Sequence, residues 1–177
     1  MPRLLLFMPL ALFAILGLFL WKGLSIDPTE LPSALLNKPF PEFKVSALKQ
    51  PDRLLSKADF LGKPVLVNVW ATWCPSCRQE HEQLLKIAAE NKIKIIGLNY
   101  KDDRQAALQW LRQLGDPYQF NIYDNDGMLG LDLGVYGAPE TYLVDAQGMV
   151  RHRHVGVVTE KVWQQFQQLL AGKINVN

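Results

Sequence analysis

Cysteine is scarce in this chain: 177 residues hold two, Cys74 and Cys77. A disulfide between positions three apart closes a ring too small to restrict the unfolded chain much, which argues against a structural staple. Redox exchange, metal binding or a pair of inert buried thiols remain. Histidine is nearly as rare, with His81, His152 and His154 the only examples. A zinc site needs about four ligands, and the neighbourhood of the cysteines offers at most Cys74, Cys77 and His81, so no metal is expected. Position 78 is Arg, where covalent c-type haem attachment requires His directly after the second cysteine. Charge of one sign is nowhere concentrated: 19 basic and 17 acidic residues are spread along the sequence. Without a basic stripe there is no footprint for nucleic acid. There is no internal repeat or low-complexity tract, and a 49% hydrophobic, 20% charged composition suits one ordinary core with appendages rather than disorder.

Long apolar runs are absent except at the N-terminus. From Leu4 to Trp21 no residue is charged, with Arg3 before the run and Lys22 after it. A helix needs roughly 20 apolar residues to cross a bilayer, so this run stands at the short end and a cleaved signal peptide competes with an anchor. The stretch Trp21-Lys22-Gly23-Leu24-Ser25 has no clear small-x-small processing site, and the run has no polar face of the kind a core helix shows. Residues 1–24 are therefore read as a membrane anchor, a cytoplasmic end plus a transmembrane helix. Arg3 and the amino terminus bias the leading side toward the cytoplasm, nearly balanced by Lys22. From Ser25 to Pro41 prolines interrupt any periodic pattern. A linker is placed at 25–33 and a folded domain at 34–174.

Within the domain, Phe43–Leu48 and the apolar run Pro64–Trp70 read as strands, the second central in its sheet. A helix follows over Pro75–Asn91, with Pro75 suited to its first turn. Ile93–Leu98 is a strand, Asp103–Leu114 a helix ending at Gly115, and Tyr118–Tyr123 a further strand. Thr141–Asp145 and Val150–Val155 form a hairpin around Ala146-Gln147-Gly148, and Thr159–Leu170 closes the chain as a helix. The class is α/β, a central mixed sheet flanked by helices.

The cysteines lie between a buried strand and a helix. At that junction free backbone N–H groups and the positive end of the helix dipole favour a thiolate at Cys74, the expected nucleophile. Cys77, one turn further in and expected to be less exposed, is on the same face and within disulfide reach, so it is the expected resolving thiol. Trp70 is explained by core packing alone, while Trp73 offers apolar surface beside the thiols. Arg78 reads as a solvated charge and His81 as a surface or capping residue.

Val67-Asn68-Val69-Trp70-Ala71-Thr72-Trp73-Cys74-Pro75-Ser76-Cys77 resembles the active-site strand and turn of the thioredoxin superfamily. Gly134-Val135-Tyr136-Gly137-Ala138-Pro139-Glu140-Thr141 is similar to the fingerprint of its cytochrome c maturation branch, the DsbE/CcmG type, and Asn99–Arg104 resembles that branch's central insertion. The resemblance covers nearly the whole chain. It implies a thioredoxin-like fold and a reductase on the periplasmic side of the bacterial inner membrane, single-pass, that keeps the haem-receiving cysteines of apocytochrome c reduced. Its implied target is apocytochrome c or a dithiol protein of the maturation machinery, and its implied electron source a membrane thiol transporter of the DsbD/CcdA type. The implied redox group is the Cys74–Cys77 disulfide itself, with no further cofactor. Pro139 is expected in a cis bond after Ala138, beside the cysteines, with the Ala138 backbone pairing an extended substrate segment and Tyr136 contributing to the same contact. Glu80 and Glu140 are expected to set an acidic rim that opposes thiolate formation. Thioredoxin has a buried Asp where this chain has Asn68, so Glu80 is the expected substitute in proton handling. The rivals are a generic exported thioredoxin-like reductase, an oxidase that donates disulfides, and a non-catalytic module holding haem or apocytochrome through Trp73, Tyr136 and the His152/His154 pair, whose alternation puts both imidazoles on one sheet face.

Overall fold

The computed structural model describes residues 8–24, 35–90 and 92–172, and the chain divides into two compact units, Met1–Leu31 and Pro32–Asn177. In the first unit lies helix α1, Met8–Leu24, 17 residues long, with Phe13, Leu16, Phe19 and Trp21 exposed. No helix among the described residues is long and apolar enough to cross a membrane. The apolar run of the sequence begins four residues before α1, at Leu4, and residues 4–7 lie outside the described residues, as does the linker expected over 25–33.

The second unit is built on β3 (Val65–Trp70), buried at every position because both faces of the sheet are covered. Val65, Val67 and Val69 meet Phe40, Phe60 and Leu133 on one face, while Leu66 and Trp70 meet Leu84, Ile87, Trp163 and Phe166 on the other. The five-stranded order is β5-β4-β3-β6-β7. β4 (Lys94–Tyr100) and β5 (Phe120–Asp124) run parallel to β3, in register Val67↔Ile96 and Leu98↔Ile122. β6 (Glu140–Val144) runs antiparallel to β3, with Val67↔Tyr142, and β7 (Val150–Val155) antiparallel to β6, with Tyr142↔Arg153.

Three helices cover the second face. α2 (Pro75–Glu90) buries Cys77, Glu80, His81, Leu84 and Ile87 along one stripe. α3 (Arg104–Leu114) starts where the Asp103 carboxylate accepts from Ala106 N and stops at Gly115, φ 93°, a conformation glycine adopts freely. α5 (Glu160–Leu170) is capped by Thr159 and buries Trp163 and Phe166.

Gly97 on β4 is a packing requirement. Trp70 Nε1 donates to Asn121 Oδ1 across it at 2.9 Å, and a Cβ there would lie 1.9 Å from that oxygen and 2.9 Å from the indole nitrogen. Gly97→Ala is expected to lower stability by about 2 kcal/mol, the cost of overpacking a filled core. Chemical denaturation measures it, and an unchanged midpoint would contradict the crossing.

Some elements depart from the sequence expectations. The strand expected over Phe43–Leu48 shortens to β1 (Val45–Ser46), paired with the two-residue β2 (Leu54–Leu55), and Ala47 bridges to Ile122. Residues 37–40 hydrogen-bond to the β6–β7 hairpin, as in Asn37 N to Val150 O and Phe40 N to Gly148 O, so the prolines at 39 and 41 belong to the folded unit. A five-residue helix, α4 (Met128–Asp132), follows β5. Its first amides are held by Asp124, whose carboxylate accepts from Leu129 N and Gly130 N at 3.2 and 2.8 Å.

Candidate active site

β3 delivers the chain to the C-terminal edge of the sheet, and α2 starts one residue after Cys74. Cys74 and Cys77 form a disulfide with Cα atoms 5.3 Å apart. Cys77 N–H donates to Cys74 Sγ at 3.0 Å, the one-turn-in amide that favours negative charge at the helix N-terminus. The Ala138–Pro139 bond is cis, as expected, and Ala138 O stands 3.3 Å from Cys74 Sγ. Cys74 is not the more open sulfur expected from sequence: the two cysteines are 2% and 3% exposed, because the segment carrying the cis proline lies over Cys74. The exposed aromatic side chains adjoining Cys74 and the cis-proline segment in sequence are Trp73 and Tyr136, 52% and 60% exposed, and α4 also exposes Met128 and Leu131.

The turn before Cys74 is fixed by residues the sequence reading did not single out. The Asp102 carboxylate accepts from Thr72 N at 2.7 Å, Thr72 Oγ1 at 2.5 Å, Asn99 Nδ2 at 2.8 Å and Asp103 N at 2.9 Å. Trp73 Nε1 donates to Lys101 O at 2.9 Å. A pair of adjacent aspartates just before a helix was the available signal: Asp103 caps α3, which leaves Asp102 without a local task.

Glu80 lies beneath the site and is not part of a rim. It is 1% exposed and accepts from Asn68 Nδ2 and Val158 N, each at 2.8 Å. Asn68 also donates to Thr141 Oγ1 and accepts from Tyr118 O–H. Burial pushes the Glu80 carboxyl from the usual 4.5 up to about 7, against the two hydrogen bonds that hold it down. Tyr118, buried beside this carboxyl, is raised well above its ordinary value, first by desolvation and then by the Glu80 charge. Cys77 and Glu80 are one turn apart on the buried stripe of α2, so a near-neutral acid sits one helical turn from the second thiol.

Glu140 is likewise buried, and on the opposite face of the sheet. It pairs with Arg153 at 2.8 Å and accepts from Tyr142 O–H at 2.7 Å and from the amides of Tyr136 and Gly137 at 3.2 and 3.3 Å. Its charge is matched, and its work is to tie the Tyr136–Gly137 turn to the start of β6. The expected acidic rim therefore does not form: one carboxyl is enclosed beneath the site and titrates near 7, the other is ion-paired.

Arg153 lies 4.6 Å over the Tyr136 ring, which fixes the face of β7 that Tyr136 shares. His152 and His154, on alternate positions, face the other way: His152 packs edge-on against Phe166 at 5.6 Å and His154 Nε2 lies 3.2 Å from Val157 O. Burial lowers both imidazoles below their ordinary values. The His pair and Tyr136 thus do not converge, which removes the geometry of the haem-holding alternative. His81 is buried rather than on the surface, with Nε2 3.0 Å from Gly115 O at the end of α3, and Arg78 is exposed with its guanidinium 5.4 Å from the Trp110 ring. Among the described residues no group of three or more His, Cys, Asp or Glu is arranged to hold a metal ion.

Sheet order, helix placement and a disulfide at the first turn of α2 put the second unit in the class of thioredoxin-fold thiol-disulfide oxidoreductases. The Redoxin family model matches residues 35–169. The chain is 56% identical over 175 residues to the thiol:disulfide interchange protein DsbE of Pseudomonas aeruginosa, covering 96% of this chain and 97% of that one. It is 51% identical over 172 residues to DsbE of Escherichia coli K12, covering 93% and 92%. A crystal structure of a candidate DsbE from Chlorobium tepidum superposes with a TM-score of 0.66 at 25% identity, over 80% of this chain and 98% of that one. The chain belongs to the redoxin family of the thioredoxin superfamily, in its DsbE/CcmG branch.

Proposed function

We propose that the protein is a membrane-tethered periplasmic reductant of cytochrome c maturation, which opens disulfides in apocytochrome c, or in a dithiol partner of the maturation machinery, before haem is attached. The observation that carries this reading is the Cys74–Cys77 disulfide at the head of α2, set under the Ala138 carbonyl and bordered by Trp73 and Tyr136. The tether is supported by the uncharged run Leu4–Trp21 and by the exposed apolar side chains of α1, which need a non-aqueous surrounding.

In the reduced protein the Cys74 thiolate attacks one sulfur of the substrate disulfide, and the other substrate sulfur leaves as a thiol after taking a proton. Cys77, losing its proton to the Glu80 carboxylate one turn away, then attacks Cys74 Sγ and expels the second substrate thiol. Two electrons pass to the substrate and the Cys74–Cys77 disulfide remains. Reduction by a membrane thiol transporter of the DsbD/CcdA type resets it. Ala138 and Tyr136 contact the substrate, Glu140 holds their turn, and Pro139 sets the opening over Cys74.

The reading is tested by expressing the Cys77→Ser full-length protein in cells and identifying the proteins disulfide-linked to Cys74. Apocytochrome or maturation components are expected; capture of unrelated exported proteins alone points to the generic reductase. Met128 and Leu131, exposed on the short helix α4 that precedes Tyr136 in the chain, are proposed to extend that apolar border. Leu131→Ser is expected to raise KM for a disulfide-bearing polypeptide about fivefold, from lost apolar contact, and to leave turnover of a small-molecule disulfide unchanged. Equal effects on both substrates would place Leu131 outside the docking surface.

A further inference from the structure

Among the described residues, the Lys101–Asp102 dipeptide is the segment from elsewhere in the chain that hydrogen-bonds to both residues preceding Cys74. Its Lys101 carbonyl holds the Trp73 indole, and the Asp102 carboxylate takes both the amide and the hydroxyl of Thr72. Asp102 is 6% exposed, and every group around its oxygens can donate, so it accepts four hydrogen bonds and carries its charge. Among the described residues none forms an ion pair with it. The nearby cations in sequence are occupied elsewhere. Arg104 donates to Ala47 O, Leu48 O and Ser46 Oγ and lies over the Tyr123 ring, and the Lys101 amine lies over the Tyr100 ring.

We propose that Asp102 is a positioning residue for Cys74: it locks the Ala71–Trp73 turn and places an uncompensated buried negative charge within two residues of the nucleophile, opposing thiolate formation. Two influences then act on the same sulfur. The Cys77 amide and the α2 N-terminus favour the thiolate, and Asp102 opposes it. A reduced pair denied part of its thiolate stabilisation gives up its electrons more readily, the converse of strongly oxidising pairs whose reduced form is stabilised. The other charged groups around the site do less. Glu80, about half ionised at pH 7, lies one turn beyond Cys77 on the buried stripe of α2 and acts first on that thiol, Glu140 is matched by Arg153, Asp103 caps α3, His81 is turned to Gly115 O, and Arg78 is exposed over Trp110.

Asp102→Asn suits the test. With the new amide nitrogen at the Oδ1 position, the remaining oxygen keeps the Thr72 N and Asn99 bonds, Thr72 Oγ1 turns to accept, and only the Asp103 N contact is lost. Thr72→Ala removes one bond from the same turn and keeps the charge. The readout is the rate of iodoacetamide alkylation of the reduced full-length protein against pH, with the modified cysteine identified by mass. Removing a unit charge held against Thr72, two residues before the nucleophile, is expected to lower the Cys74 pKa by about one unit. The midpoint is the quantity read, because the change in rate at any single pH depends on where the midpoint lies and on the lower nucleophilicity of a more acidic thiol. Thr72→Ala is expected to leave the midpoint in place. An unshifted or upward midpoint in folded Asp102→Asn overturns the inference, as does an equal shift in both variants. If Asp102→Asn does not fold, the wild-type titration decides: a Cys74 midpoint near 7 or above, where thioredoxin's lies, supports it, and one below about 6 overturns it. The inference rests on Cys74 being the nucleophile. Alkylation at Cys77 instead would overturn that assignment along with it, whereas labelling at Cys74 with no shift overturns this inference alone.

Discussion

Cys74→Ser is expected to reduce disulfide exchange by at least about a thousandfold, while Cys77→Ser keeps the first chemical step and stops at the mixed disulfide. The asymmetry follows from where each sulfur sits. Cys74 precedes the first residue of α2, so its sulfur receives the Cys77 amide and the positive end of the helix, which together support a thiolate. Cys77 is a turn further in, on the stripe that carries Glu80, Leu84 and Ile87 into the core. Removing the nucleophile from a group of residues that act as a unit eliminates nearly all of the rate. Stopped-flow reduction of a disulfide-bearing peptide measures the first variant, and non-reducing mass analysis of the trapped product measures the second. A Cys74→Ser protein that still forms a mixed disulfide through Cys77 would reverse the assignment.

Glu80→Gln is expected to remove a large part of the pH dependence of stability. In the unfolded chain this carboxyl titrates near 4.5, and in the fold near 7. Below pH 4.5 both states hold the proton and Glu80 contributes nothing. Between 4.5 and 7 the unfolded chain has released the proton and the fold retains it, so stability falls with rising pH and levels off above 7. A displacement from 4.5 to about 7 corresponds to about 3 kcal/mol lost across the window. His81, His152 and His154, all lowered by burial, act with the opposite sign: their stability is present above pH 6.5 and lost as pH falls through their folded values. The difference between wild type and Glu80→Gln therefore isolates Glu80. The Gln variant is accommodated if the Asn68 amide turns over, presenting Oδ1 to the new amide and Nδ2 to the Tyr118 oxygen. Urea denaturation of the oxidised protein at pH 4.5, 6 and 8 reads this, and parallel curves for the two proteins would show that Glu80 titrates normally. If Glu80 also accepts the Cys77 proton, the resolving step of the variant loses its inflection near pH 7.

Much of this fold was legible because its central elements are strongly patterned. The run Val65–Trp70 is apolar enough to declare a strand covered on both faces, and the stripe from Cys77 to Ile87 declares the helix. Asp103 and Thr159, read as the first residues of their helices, are the N-caps of those helices. α4 was missed because five residues give no periodicity and its start depends on Asp124 in the preceding strand. The site was legible along the chain and opaque across it. Cys74, Cys77 and the cis bond before Pro139 follow from local motifs. The Asp102–Thr72 contact spans 30 residues, and the Arg153 that matches Glu140 lies 13 residues away on another strand. No local pattern reveals that Glu80 and Glu140 fall on opposite faces of the sheet, so charges that look like a rim in sequence are separated in space.

The proposed reductase role requires that Cys74 and Cys77 deliver electrons to substrate disulfides. Equilibrating the full-length protein in detergent with glutathione buffers of graded ratio, and quantifying the Cys74–Cys77 disulfide in each, tests it most directly. A reductase has a potential more negative than about −180 mV, the value of a disulfide isomerase, whereas one near −120 mV, that of a strong disulfide donor, would contradict the role.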